Sequence, residues 1–261
     1  MEDPAEFLLG ITARGVIAEV MQTDWPNGTL AEYALLPKAI VTPAEGLDSF
    51  SSTELAATMR FIVPYGGLLR GRLAPGETLA VVGASGAYGS AAVRLGLALG
   101  AERVIAAGRN ADSLDAVARA NGQRVVPVAL VGDPDKDAAA LRKAAGGGVH
   151  MALDMVGGAT NANSTLAALR ALRRTGRLVL MGSMSVPVPV PYMEMMVSGW
   201  EMIGNFMYPA DAYLKLFSLI RAGLLDIRSI RTQTFPLDAL LTAMDAATSA
   251  KSSECVVVTS V

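Results

Sequence analysis

Three glycines at even spacing, Gly83, Gly86 and Gly89 in "VVGASGAYGSAAV", raise the first chemical possibility in this chain. A strand that turns tightly into a helix presents free N–H groups, and small residues at the turn let a pyrophosphate approach them. Ser85 adds a hydroxyl to the same turn. A second candidate is "AAGRN", Ala106 to Asn110. NAD sites want a carboxylate at the end of the second strand for the ribose 2′-hydroxyl, whereas NADP sites want room and a cation. Here the position holds Gly108, then Arg109 and Asn110, with no acid before Asp112. Arg109 could grip a 2′-phosphate through its guanidinium fork, so the residues favour NADP(H).

Other reactive residue types are scarce. One histidine, His150, and one cysteine, Cys255, cannot build a zinc site of three or four soft ligands. The sequence therefore predicts no metal of that type. His150 starts a strand, away from the end where ligands bind, and reads as structural. Cys255 opens the last strand and reads as a small buried hydrophobe. "GDPDKD" is too short for a calcium loop and reads as a helix start. Asp154 differs, because it ends a strand on the ligand side. Tyr65, Tyr88 and Tyr192 are candidates for proton donation, but packing is the commoner role for each. The catalytic residues stay unassigned.

The elements that would position these groups are legible from Thr78 onward. "TLAVVG", "RVIAAG", "RVVPV", "VHMALDMVGG" and "RLVLMGS" are short apolar strands. Between them lie "GSAAVRLGLALG", "ADSLDAVARANG", "DPDKDAAALRKAAGGG" and "NSTLAALRALRRTG", with the periodicity and caps of helices. Continuous apolar strands alternating with helices imply an α/β fold, a doubly wound parallel (Rossmann) sheet covered on both faces. The ends differ. Residues 1–55 contain two strand-like runs, "ARGVIAEV" and "TLAEYALLP", around the turn "DWPNG" and suggest a small β-rich portion. After Gly182 come a strand-like "WEMIGNFM", helices at "ADAYLKLFSLIRAG" and "LDALLTAMDAA", and a closing strand "ECVVVTSV".

The chain has 261 residues, 52% hydrophobic and 18% charged, enough for a large core, with a formal net charge of −2 that gives no nucleic-acid face. "MEDPAEFLLG" has no basic leader character, and every apolar run is broken before membrane-spanning length, so a cytoplasmic setting without membrane contact is expected.

These segments together resemble the medium-chain dehydrogenase/reductase superfamily, in particular its zinc-free, quinone-oxidoreductase-like branch. The run "GRLAPGETLAVVGASGAYGSAAVRLGLALGAERVIAAGRN" is similar to that family's coenzyme turn and second strand, "VHMALDMVGG" to its fourth strand and "TGRLVLMGSM" to its fifth. "GTLAEYALLP" is similar to the end of its GroES-like domain and "ECVVV" to its closing strand. The resemblance implies that coenzyme touches Ser85, Gly86, Ala87, Tyr88 and Gly89, then Gly108, Arg109 and Asn110. It adds Asp154, Met155 and Val156, and Met181, Gly182 and Ser183.

It also implies a homodimer through a sheet edge at Trp200–Met207, where Met193, Met195, Met196 and Met202 would fill either an interface or core. The domains expected are residues 1–55, a truncated β-rich GroES-like portion; 56–210, the dinucleotide-binding domain; and 211–261, C-terminal helices and a closing strand. Where the family often shows Gly-His-Glu, this chain reads Gly10, Ile11 and Thr12. Between Val20 and Gly28 a long stretch of the family's domain is missing. The function expected is a zinc-independent, NADP(H)-dependent oxidoreductase reducing a conjugated C=C or a carbonyl of an apolar small molecule, such as a secondary-metabolite intermediate. Two alternatives stand beside it: a redox-neutral cyclase or isomerase on a degenerate scaffold, and a non-catalytic coenzyme-binding paralogue.

Overall fold

The computed structural model describes residues 16–259, and its chain divides into two compact units. One is Val63–Phe206; the other is built from the residues up to Ile62 and those from Met207 on. The expectations at "MEDPAEFLLG", at Ile11 and Thr12 and at the last two residues lie outside the described residues.

Helices α1 (Val16–Asp24), α2 (Ser52–Ala56) and α3 (Met59–Arg70) precede strand β1 (Thr78–Val82). Then follow α4 (Ala87–Ala98), β2 (Arg103–Gly108), α5 (Ala111–Asn121), β3 (Val125–Ala129), α6 (Pro134–Ala145), β4 (Val149–Asp154), α7 (Asn163–Arg170) and β5 (Leu172–Leu180). The chain continues through α8 (Tyr192–Ser198), β6 (Glu201–Gly204), α9 (Ala212–Arg221), β7 (Arg231–Pro236), α10 (Leu240–Ser249) and β8 (Glu254–Thr259).

Strands β1 to β6 form one parallel sheet in the order β3-β2-β1-β4-β5-β6, the doubly wound arrangement whose order reverses beside β1. All five residues of β1 are buried, as a strand covered on both faces must be. Ala80, Val82, Ile105, Ala152 and Leu178 share one face and pack with Leu141 of α6 and Leu169 of α7. The other face meets glycines. A Cβ at Gly96 of α4 would lie 2.7 Å from Leu79, and one at Gly67 of α3 2.8 Å from Leu153. Both helices use a missing side chain to approach the sheet closely. Edge strand β3 carries Pro127, tolerable where one side makes no ladder.

Two expectations change. "ARGVIAEV" was expected as strand, but its described part lies in α1, and no strand occurs among residues 16–55. An isolated hairpin with no further strand is marginal, so local helix preference prevails. The helix expected over "NSTLAALRALRRTG" stops at Arg170, and Leu172 instead pairs with Val149. The Leu172 carbonyl accepts from Arg142 Nη1 at 2.8 Å, and the buried leucine fixes the turn into β5. The run "YMEMMVS", for which no element was expected, forms the short helix α8.

In the other unit, β7 and β8 pair in parallel as a two-stranded sheet. Ser51 and Glu54 make a reciprocal capping box on α2, and Glu54 also binds Arg228 at 2.8 Å. Arg228 covers the Phe50 ring at 4.3 Å. Among the described residues no helix is long and apolar enough to cross a membrane.

Candidate coenzyme cavity

Every strand of the large sheet runs the same way, so residues far apart in sequence end side by side. Val82 pairs with Asp154, Asp154 with Leu180, and Gly108 with Ala129. Just beyond β1, β2, β3 and β4 the chain encloses a cavity of about 630 Å³, at the sheet end where ligands bind in such folds.

The glycine turn forms one wall. Gly83 has φ +84°, a conformation glycine adopts freely, and its N–H donates to Ala107 O at 2.9 Å. Gly86 caps α4 without a side chain, and its carbonyl accepts from Ser90 N at 2.9 Å. Gly89 has no room for a Cβ: that atom would run into the Gly83 carbonyl and stand 2.8 Å from Ala84 Cα. Gly89 therefore brings the helix against the turn, while Gly83 and Gly86 bare the backbone. A cradle of this shape at a helix start fits a dinucleotide's diphosphate.

The wall beyond β2 is Gly108, Arg109 and Asn110. Asn110 Oδ1 accepts from Ser113 N at 2.9 Å and caps α5. Arg109 is exposed at the cavity rim, without a hydrogen bond or ion pair among the described residues. A cation with no internal partner among the described residues leaves the rim open to an anion.

Beyond β4, Met155, Val156 and Gly157 form the opposite wall. Asp154, expected as a coenzyme contact, is only 4% exposed and does not line the cavity. Its Oδ1 accepts from Val156 N at 3.0 Å and its Oδ2 from Thr165 Oγ1 at 2.6 Å. Burial pushes its carboxyl above the usual aspartate range, against those two hydrogen bonds, which favour the anion.

Seven of the expected contacts thus line the cavity: Ser85, Gly86, Gly108, Arg109, Asn110, Met155 and Val156. Ala87, Tyr88, Gly89, Asp154, Met181, Gly182 and Ser183 do not line it. Gly182 nonetheless touches its construction, since a Cβ there would stand 2.9 Å from Val156 N. Val82, Leu130, Gly157 and Ser164 line the cavity without having been expected. The sheet order could have pointed to Leu130, which follows the end of β3, beside β2.

The other residues singled out have quieter places. His150 Nδ1 accepts from Thr78 N at 3.0 Å, at the strand starts, and burial holds the imidazole below its ordinary value. Cys255 is buried on β8. Asp133 caps α6, and Asp137 accepts from Val131 N and Gly132 N at 2.8 and 2.9 Å, the helix-start turn expected of "GDPDKD". Tyr65 is buried and Tyr192 is 75% exposed. Met195 and Met202 pack on the sheet core, whereas Met193 and Met196 are exposed. Among the described residues no group of three or more His, Cys, Asp or Glu could hold a metal ion. A larger cavity of about 710 Å³ lies along β7 and β8. No titratable side chain lines it.

A family model described as "Zinc-binding dehydrogenase" matches residues 87–222, more than half of the 261. The chain belongs to this family, within the medium-chain dehydrogenases and reductases. Its relatives include a sorbitol dehydrogenase of Bacillus subtilis, 28% identical over 80% of this chain and 57% of its own length. An NAD-dependent alcohol dehydrogenase of Saccharolobus solfataricus is 24% identical over 84% of this chain and 60% of its own. The chain thus spans less than two thirds of these relatives. Among solved structures, the alcohol dehydrogenase TADH from Thermus sp. ATN1 superposes with a TM-score of 0.68 at 21% identity, over 89% of this chain and 66% of that one.

Proposed function

We propose that this chain binds NADP(H) through the Val63–Phe206 unit and serves a zinc-independent oxidoreductase acting on a carbonyl, or a conjugated C=C, of an apolar small molecule. The observation that carries the reading is the cavity beyond β1 and β2, in which a bare glycine turn faces Gly108 and the exposed Arg109. Ser85, Gly86 and the start of α4 would hold the diphosphate, and Arg109 a 2′-phosphate. When bound, the coenzyme supplies hydride; the protein's part is to orient it and exclude water.

The names of the relatives, dehydrogenases of alcohols and polyols, support a carbonyl–alcohol couple. Zinc independence rests on the single His150, bonded to Thr78 N, and the single, buried Cys255. One relative's name specifies NAD, so the preference for NADP(H) rests on Gly108 and Arg109 alone. We read the open edge of β6, with exposed Met193 and Met196 on the preceding helix, as the contact with a second copy.

The test is titration of the purified protein with NADPH and, separately, NADH by nucleotide fluorescence. NADPH oxidation is then followed against ketones, aldehydes and enones, with and without a chelator. Micromolar binding that favours NADPH, with turnover indifferent to chelation, is expected. Binding of neither nucleotide would overturn the reading.

A further inference from the structure

The peptide between Met155 and Val156 is gripped from three sides. A Cβ on Gly83 would stand 3.1 Å from Met155 O, and one on Gly182 2.9 Å from Val156 N, so the turns after β1 and β5 both close on it without side chains. Met155 N donates to Val82 O at 2.9 Å. The third hold is Asp154: through Oδ1 it takes Val156 N, through Oδ2 the hydroxyl of fully buried Thr165, and through its own carbonyl Met181 N at 3.0 Å. One residue thus ties the loop, helix α7 and the exit of β5 together. Thr165 is the neighbour of Ser164, which lines the cavity, as do Met155, Val156 and Gly157.

We infer that Asp154 is a positioning residue for the coenzyme: it sets the Met155–Gly157 wall through Val156 N and helix α7 through Thr165, and does not touch the coenzyme itself. A direct ligand would need a carboxylate oxygen facing the cavity. Here both oxygens are engaged behind the wall in a side chain that solvent barely reaches. What the coenzyme requires of Asp154 is then an acceptor at Oδ1, not a negative charge. Asparagine satisfies that requirement and alanine does not, leaving the part-buried Val156 N–H without this acceptor.

The inference rests on the reading of this cavity as a coenzyme site, and the experiment separates the two. Wild type, Asp154→Asn, Asp154→Ala and Thr165→Val are compared by NADPH titration and, without nucleotide, by amide hydrogen exchange over residues 154–158. Asp154→Ala is expected to weaken NADPH about tenfold and to speed exchange of the Val156 amide, and Thr165→Val to do the same more mildly. Asp154→Asn is expected to stay within about threefold of wild type in both. Asn as weak as Ala, with its exchange unchanged, would overturn the inference by making the charge a direct contact. Unchanged exchange in Asp154→Ala would overturn it too. Nucleotide binding by none of the four, wild type included, would instead remove the coenzyme reading, and the positioning inference with it.

Discussion

The Ser85 hydroxyl oxygen lies 3.3 Å from the point where Gly108 would carry a Cβ. The turn after β1 and the end of β2 therefore meet closely, with only a tight contact between them for any Cβ at Gly108. Placing an aspartate at Gly108 would install the carboxylate that NAD sites use and set it against any 2′-phosphate. Ser85 would have to give by a few tenths of an ångström, which a rotatable hydroxyl can do. Gly108→Asp is expected to weaken NADPH binding by about tenfold or more and NADH much less, as read by the two nucleotide titrations.

Arg109→Ala removes the cation at the rim without disturbing a side-chain hydrogen bond among the described residues. A charge-assisted contact to phosphate contributes about 1.5–3 kcal/mol, so NADPH affinity should fall by about ten- to a hundredfold. NADH affinity should change little, and thermal stability should match wild type. Equal loss for both nucleotides would show that Arg109 serves the common diphosphate instead.

Strands β1, β2 and β4 were readable because both their faces are buried, which leaves uninterrupted apolar runs. The places of Ser85, Gly86, Gly108 and Arg109 along the cavity were readable because a bare turn after a strand has a recognisable spelling. Helix α3 was not. Pro64, Gly66 and Gly67 inside it look like breakers, yet Gly67 and Gly71 are what lets the helix lie against Leu153 and Val179. Packing overrules propensity there. Leu130 and Ser164 carry no chemical signal, and only the strand order brings them to the cavity. The placement of Asp154 was half legible: its strand end was readable, its direction away from the cavity was not.

Gly86 and Gly89 should answer differently to alanine. At Gly86 the nearest atom to a Cβ is Gly83 O at 3.3 Å, a tight but adjustable contact. At Gly89 the Cβ would stand 2.7 Å from Gly83 C, inside backbone that cannot yield. Gly89→Ala is expected to lose about 2 kcal/mol or more in urea unfolding, within the range for overpacked sites, and Gly86→Ala less than 1 kcal/mol.

If β6 is the contact with a second copy, a charge on the helix beside it should split the pair. Met196 and Val197 are each 57% exposed, so Met196→Glu or Val197→Glu should leave the monomer's fold intact. Sedimentation is expected to show a dimer for wild type and a monomer for either variant. A monomeric wild type would remove the proposal.

The last prediction concerns pH. Arg177 donates to both carboxylate oxygens of Glu77, at 3.1 and 2.5 Å, and also to Gly71 O at 2.7 Å, while Ala74 N donates to Glu77 at 3.0 Å. Burial alone would raise the Glu77 carboxyl, but these donors outweigh it and hold the group below its ordinary 4.5. A carboxylate with a lowered folded-state pKa binds fewer protons folded than unfolded. Its stabilisation is therefore complete above about 4.5 and disappears as pH falls through the lower folded-state value. The two side chains are 17% and 13% exposed, so the pair is partly dry and Glu77→Gln strands the guanidinium. We expect that variant to lose about 2 kcal/mol at pH 7, less than for a fully buried pair, because Gly71 O still accepts from Arg177. Urea midpoints measured from pH 7 downward should converge for wild type and Glu77→Gln in acid; a constant gap at every pH would mean that the carboxylate's charge contributes nothing.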